Sequence, residues 1–113
     1  NGTFGVRYGI FVNGSASTKR QNITLFRNNV STVSTDAASN NYGIYVSNGY
    51  LSNLTGNNVT TSGSAPANYG IALSETLNST VSSNRVITNG TGDNYGIYLK
   101  TAATLASTGT NSR

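Results

Sequence analysis

Four Tyr-Gly-Ile triplets, Tyr8-Gly9-Ile10, Tyr42-Gly43-Ile44, Tyr69-Gly70-Ile71 and Tyr95-Gly96-Ile97, divide the chain into units that begin 34, 27 and 26 residues apart. A repeat of this length marks a solenoid, in which each unit is one turn that must stack on its neighbours to bury its apolar face. Aligning the triplets exposes a second landmark. Asn28-Asn29-Val30, Asn57-Asn58-Val59 and Asn84-Arg85-Val86 follow the triplet tyrosine by 20, 15 and 15 residues. The extra length of the first unit falls near Ser15 to Arg20, whose polar and basic residues predict a loop bulging from an otherwise regular turn.

Around each triplet the apolar residues alternate in steps of two: Ile10 and Val12, Ile44 and Val46, Ile71 and Leu73, Ile97 and Leu99. Period two is the strand pattern. It sends the intervening Phe11, Tyr45, Ala72 and Tyr98 to the opposite face. Two further apolar positions recur, Leu25, Leu54 and Val81, then Val30, Val59 and Val86, so each turn offers about three short inward-facing segments. No helix-length run at i, i+3, i+4 and i+7 competes, and Gly, Asn, Thr and Val are poor helix formers. Disorder would suit the polar content but gives no reason for periodic apolar residues.

The expected fold is therefore all-β, a right-handed parallel β-helix of about four turns of about 26 residues with three short strands per turn. Residues 1–113 would form a single β-helix segment, with repeats at approximately 8–41, 42–68, 69–94 and 95–113, and would be part of a longer solenoid or assembly. Stacked at about 4.8 Å, Ile10-Ile44-Ile71-Ile97 and Leu25-Leu54-Val81 would form aliphatic ladders, each buried side chain contributing about 1.5–3 kcal/mol. The triplet tyrosines lie two positions before the inward isoleucine, so parity turns them toward the core or the entering corner. The triplet glycines would permit a bend or a close approach between turns.

The strings NYGIYVSNGYLSNLTGNNVTT and NYGIALSETLNSTVSSNRVIT resemble the parallel β-helix repeats of the pectate-lyase-like superfamily. The likeness is strongest to the repeat shared by the periplasmic copper-maturation protein family and by carbohydrate-binding or sugar-hydrolase β-helices, and it covers residues 5–105. It implies a fold rather than an activity, because the same repeat serves lyases, hydrolases, phage tailspikes, adhesins and non-catalytic surface proteins. It also implies that Asn28, Asn57 and Asn84 form an internal structural ladder at a tight bend rather than a polar binding stripe.

Composition excludes several chemistries. Charged residues make up 9% of the chain, against roughly 25% in an ordinary soluble domain, and Asn, Ser, Thr and Gly fill the polar positions; such a surface suits an extracellular or cell-surface protein. Cysteine and histidine are absent, which removes disulfides, thiolate chemistry and the commonest general base. The seven basic residues are scattered, with only Lys19 and Arg20 adjacent, so nucleic-acid binding is not expected. Nor is membrane insertion, since no stretch approaches the roughly 18 apolar residues of a spanning helix. A start at Asn1 without Met, almost at once inside the repeat, reads as a mature product or an excised segment.

Asp36, Glu75 and Asp93 are dispersed, whereas β-helix lyases and hydrolases need clustered carboxylates to hold Ca²⁺ or to form an acid and base pair. Neither catalytic nor metal-ligating residues are assigned, no cofactor is expected, and the chain is read as not an enzyme. The candidate binding residues are the outward Phe11, Tyr45 and Tyr98, which would make an aromatic stripe suited to sugar rings, together with Lys19 and Arg20 of the long loop. Asn-X-Ser/Thr sequons at Asn1, Asn13, Asn22, Asn29, Asn53, Asn58, Asn78 and Asn89 fit an exported, glycosylated protein. Those at Asn29 and Asn58, beside the proposed ladder, would be inaccessible.

The expected function is a non-enzymatic structural or adhesive segment of an exported surface protein, displaying a rigid polar face and loops to a polysaccharide, another glycan or a protein partner. Two alternatives remain: a non-catalytic fragment of a carbohydrate-active β-helix lyase or hydrolase, and a self-assembling extracellular filament or sheath subunit that associates through its solenoid ends.

Overall fold

A computed structural model of the chain describes residues 5–100 with their side chains and the strand backbone of 105–108 and 111–112. The first turn holds β1 (Arg7–Asn13), β2 (Arg20–Gln21), β3 (Thr24–Phe26) and β4 (Asn29–Ser34). The second holds β5 (Asn41–Ser47), β6 (Gly49–Tyr50), β7 (Asn53–Thr55) and β8 (Asn58–Gly63). The third holds β9 (Ala67–Ser74), β10 (Ser79–Ser82) and β11 (Arg85–Gly90), and a further turn begins with β12 (Asp93–Lys100), β13 (Leu105–Thr108) and β14 (Asn111–Ser112). Every strand pairs in parallel with its equivalents one turn away. The result is an all-β solenoid of three sheets, ordered β1-β5-β9-β12, β3-β7-β10-β13 and β4-β8-β11-β14, with β2-β6 as a short strip at one corner.

The register stacks like on like, as the repeat requires. Ile10, Ile44, Ile71 and Ile97 align in the first sheet; Leu25, Leu54 and Val81 align in the second; Val30, Val59 and Val86 align in the third. These columns, with Val46 and Leu73, form the buried core, and Ile10, Val12, Ile23, Leu25 and Ile97 pack partly buried against it. Each residue buried this way contributes about 1.5–3 kcal/mol.

Sharp corners between sheets are made by single residues in the left-handed region. Asn22, Leu51 and Asn78, at φ 55°, 53° and 48°, occupy one corner in successive turns, and Arg27, Gly56 and Ser83 occupy another. Left-handed backbone costs a β-carbon residue roughly 1–2 kcal/mol, and Asn tolerates it better than most. Leu51 is the exception in its column, apolar and 47% exposed. Leu51→Asn should therefore raise stability by about 0.5 kcal/mol, the relief of strain exceeding the lost partial burial of the leucine. An urea midpoint lower than that of the parent chain would contradict this.

Polar side chains close the bends from inside. Asn57 Nδ2 donates to the Leu25 carbonyl at 2.8 Å and to Asn84 Oδ1 at 2.9 Å, and the Asn57 amide also donates to Asn84 Oδ1 at 2.8 Å. Asn28 repeats the pattern one turn away, its amide and Nδ2 donating to Asn57 Oδ1 at 3.0 and 2.9 Å, while Asn84 Nδ2 donates to the Leu54 carbonyl at 2.8 Å. A second buried pair lies at the entry to the first sheet. Asn41 Nδ2 donates to Asn68 Oδ1 at 3.1 Å and to the Ser62 carbonyl at 3.0 Å.

The first unit is long in two places, not one. Beyond Ser15 to Arg20, a second excursion around Thr35 to Asn40 precedes β5. Buried Asp36 organises it, accepting from the Gly5 amide at 3.0 Å and the Ala38 amide at 2.9 Å. The Ala38 amide bond is the main cause holding this carboxyl below its ordinary value of 3.8; bonds from Ser39 and Gly5 and the Arg7 charge assist, and desolvation opposes. A depressed folded-state pKa means that the stabilisation is complete above the unfolded value and is lost as pH falls through the folded one. Melting temperatures should therefore drop as pH falls below 3.8, and Asp36→Asn should flatten that drop; an unchanged acid limb in the variant would contradict the assignment.

Candidate functional site

The outward surface of the first sheet carries seven of the nine described aromatic residues, Phe26 and Tyr50 lying in β3 and β6. Its strands do not alternate strictly. In β5 the burial pattern places Asn41, Gly43, Ile44 and Val46 inside and Tyr42, Tyr45 and Ser47 toward the surface. Glycine and isoleucine both face inward at the bend, which shifts the parity of everything before them. The triplet tyrosines consequently point outward, which corrects the expectation from parity that they pack toward the core: Tyr8 is 37% and Tyr95 38% exposed. The glycine is inward because the facing valine leaves no room. A β-carbon on Gly43 would collide with Val59 Cγ1 and would lie 2.6 Å from the Gly70 carbonyl oxygen of the next turn.

Two columns of rings result. Tyr8, Tyr42, Tyr69 and Tyr95 stack from turn to turn with centroids 5.3, 4.6 and 4.9 Å apart and planes within 15°. Beside them, Phe11 stacks on Tyr45 at 5.4 Å and 3°, and the columns touch through Tyr8–Phe11 at 4.4 Å and Tyr42–Tyr45 at 4.9 Å. Such pairs contribute about 0.5–1.5 kcal/mol beyond their buried area, so the face is also structural. Burial among neighbouring rings is the main cause raising the Tyr8, Tyr42 and Tyr69 hydroxyls above their ordinary value of 10.0; repulsion between phenolates adds to it, and at Tyr42 a hydrogen bond with the Asn40 side chain opposes it. At neutral pH these hydroxyls are protonated: they donate and accept hydrogen bonds and do not act as bases.

The second column is interrupted. Ala72 occupies the position between Tyr45 and Tyr98, and although it faces outward it is only 1% exposed, because the surrounding rings overhang it. Above it lies a pocket of about 180 Å³ walled by Tyr42, Tyr45, Tyr69 and Tyr98, with Asn40, Ser74 and Lys100 also lining it. Lys19 and Arg20 stand elsewhere, at the corner that follows the first sheet. Lys19 reaches along two turns to donate to the Glu75 carbonyl at 2.9 Å, and Arg20 Nε donates to the Asn13 carbonyl at 3.0 Å. The structure thus groups Phe11, Tyr45 and Tyr98 with the triplet tyrosines and leaves the two basic residues outside that group.

The described carboxylates are not gathered. Asp36 is engaged by backbone amides, Glu75 sits at a left-handed corner, and exposed Asp93 opens β12. Among the described residues no group of three or more acidic side chains could hold a metal ion. The sequon asparagines at 29 and 58 are exposed, a correction to the expectation that the ladder would hide them. Asn28 and Asn57 turn inward and their chain neighbours turn outward, where Asn58 Nδ2 donates to Asn29 Oδ1 at 3.0 Å and Arg85 donates to Asn58 Oδ1 at 3.2 Å. Asn1 lies outside the described residues.

Compared with known proteins, residues 2–112 match the family model described as a right handed beta helix region. No curated protein and no solved structure matches the chain.

Proposed function

Because this chain belongs to the right-handed β-helix family, we propose that it is a non-catalytic, exported display segment whose outward aromatic face binds carbohydrate. The observation that carries this reading is the double column of rings on the first sheet, broken at Ala72 by a pocket with polar groups at its edge. Within each column the stacked rings cover one another's faces and turn their edges and hydroxyls outward; an apolar face able to meet the C–H side of a sugar ring is left where the second column breaks at Ala72, with tyrosine hydroxyls beside it for the sugar's substituents. Parallel stacking repeats the outward tyrosine edge and hydroxyl at about 4.8 Å, which suits a ligand that carries hydroxyls at regular intervals. The solenoid holds these rings on rigid strands, so little conformational entropy is lost when a ligand docks. Support for the non-catalytic part comes from the carboxylates, which are dispersed and, at Asp36, committed to a turn.

A glycan array probed with the parent chain and with Tyr45→Ala/Tyr98→Ala tests the reading. Expected is binding to at least one polysaccharide class, weakened about tenfold or more in the variant, the loss of roughly 1.4 kcal/mol that one stacked ring supplies. Binding that survives the double substitution, or no glycan bound by the parent, would overturn it.

A further inference from the structure

We propose that the pocket over Ala72 is an intercalation site for one pyranose ring, stacked between Tyr45 and Tyr98, with Ala72 as its specificity-determining residue. The proposal rests on the carbohydrate-binding reading above and adds to it a position, a size and a residue. In the column Phe11, Tyr45, Ala72, Tyr98, one turn carries a methyl group where the others carry a ring. Neighbouring rings of this face stand 4.6–5.4 Å apart along the solenoid. The missing ring therefore leaves the strand positions of Tyr45 and Tyr98 two intervals apart, roughly 10 Å, a space that the Tyr98 ring partly covers by leaning toward Tyr69, so that Ala72 is 1% exposed. With Tyr98 turned back toward parallel, a single ring inserted there would meet each neighbour at the spacing the rest of the face already uses.

Tyr98 records the vacancy in its orientation. Rings of the first two turns lie within 3° to 22° of parallel, whereas Tyr98 is tilted 60° to both Tyr69 and Tyr95. Without a ring over Ala72 to stack on, it leans 4.9 Å from Tyr69 instead. An occupant would give Tyr98 a face to lie against, so binding should turn it toward parallel.

The pocket's size and edge define the ligand. At about 180 Å³ it falls below the roughly 300 Å³ at which pockets for drug-sized ligands begin, so it takes one ring and not a run of them. Asn40, Ser74 and Lys100 stand at its edge, where a pyranose carries its hydroxyls. A phenyl ring would satisfy the tyrosine faces and gain nothing from Ser74 and Lys100 at the edge, whereas a sugar's hydroxyls would hydrogen-bond them. Larger side chains at position 72 would occupy the space themselves, as Phe11 and Tyr45 do in their own turns.

The test is a titration of the parent chain, Ala72→Tyr and Ala72→Leu with methyl β-D-glucopyranoside, methyl β-D-galactopyranoside and methyl α-D-mannopyranoside, with N-acetyltyrosinamide as an aromatic comparator. Ring resonances of the tyrosines are followed by NMR. Expected is millimolar binding of at least one pyranoside to the parent chain, with shifts at Tyr45 and Tyr98, and at least tenfold weaker binding by both variants at an undiminished melting temperature. Should Ala72→Tyr fail to fold, Ala72→Leu, which fills less of the pocket, carries the comparison. Unchanged pyranoside binding in the folded variants would overturn the intercalation site while leaving a carbohydrate-binding face elsewhere on the sheet. Preferential binding of N-acetyltyrosinamide would overturn it in favour of an aromatic side chain from a protein partner. Failure of every saccharide, here and on the array, would remove both readings together.

Discussion

Gly70→Ala is expected to destabilise the solenoid by about 3 kcal/mol, at the upper end of the cost of overpacking a core. The added β-carbon would collide with Val86 Cγ1 inside the turn and would lie 2.6 Å from the Gly96 carbonyl oxygen of the next one. The valine could rotate, but the carbonyl belongs to a strand held in register by its own ladder. Relief would need the turns to separate, and separating them breaks hydrogen bonds. Gly5→Ala is the control, because nothing lies within 4 Å of a β-carbon there, and its effect should stay within about 0.5 kcal/mol. Urea unfolding of the two variants checks the contrast; equal midpoints would mean that the turns are not packed as closely as described.

Asn57→Ala should cost about 3 kcal/mol, because removing one partner of a buried network leaves the others desolvated at roughly 1–3 kcal/mol each. The truncation would strip the Leu25 carbonyl and the Asn28 amide of a partner and would leave Asn84 Oδ1 with one donor fewer. Its neighbour in the chain supplies the control. Asn58 is exposed and its amide bonds Asn29 on the outside, so Asn58→Ala should change stability by less than about 0.5 kcal/mol. If thermal melts rank the two variants equally, the inner ladder does not carry the stability attributed to it.

The fold was legible because the repeat is nearly exact where it matters. Ile10, Ile44, Ile71 and Ile97 align by simple counting, and the structure pairs them in that register. The orientation of the triplet tyrosines was not legible by the same counting. Parity holds only along an unbroken strand, and at Gly43-Ile44 two consecutive residues face inward. A glycine before an aliphatic residue in every repeat was the available signal, since a position that tolerates no β-carbon is a crowded inward one. The buried pair Asn41 and Asn68 immediately precedes the triplet tyrosines, so the same parity that sends the tyrosine inward sends the asparagine outward, the reverse of what is found. The second excursion of the first turn lengthens the interval from Asn28 to Tyr42 only slightly, to 14 residues against 12 from Asn57 to Tyr69, too little for spacing alone to mark a loop.

Of the candidate site, the sequence supplied Phe11, Tyr45, Ala72 and Tyr98 as one outward series. It could not supply the pocket. That depends on Tyr69 and Tyr42 standing beside the series, and on a ring tilt that only packing decides. Lys19 illustrates the converse difficulty. Charge and loop position suggest an outward contact, whereas its ammonium reaches the Glu75 carbonyl, a partner 56 residues away that no local pattern announces.

The claim that the first sheet presents a saccharide-binding face is tested most directly by locating the contact. The chain contains seven tyrosines. Six lie in the two ring columns, and Tyr50 sits in β6 at a separate corner. With tyrosine rings labelled with ¹³C, titration with the glycan ranked highest on the array should shift Tyr42, Tyr45, Tyr69 and Tyr98 and leave Tyr50 in place. Shifts confined to Tyr50, or a bound glycan that moves no tyrosine ring, would contradict the account.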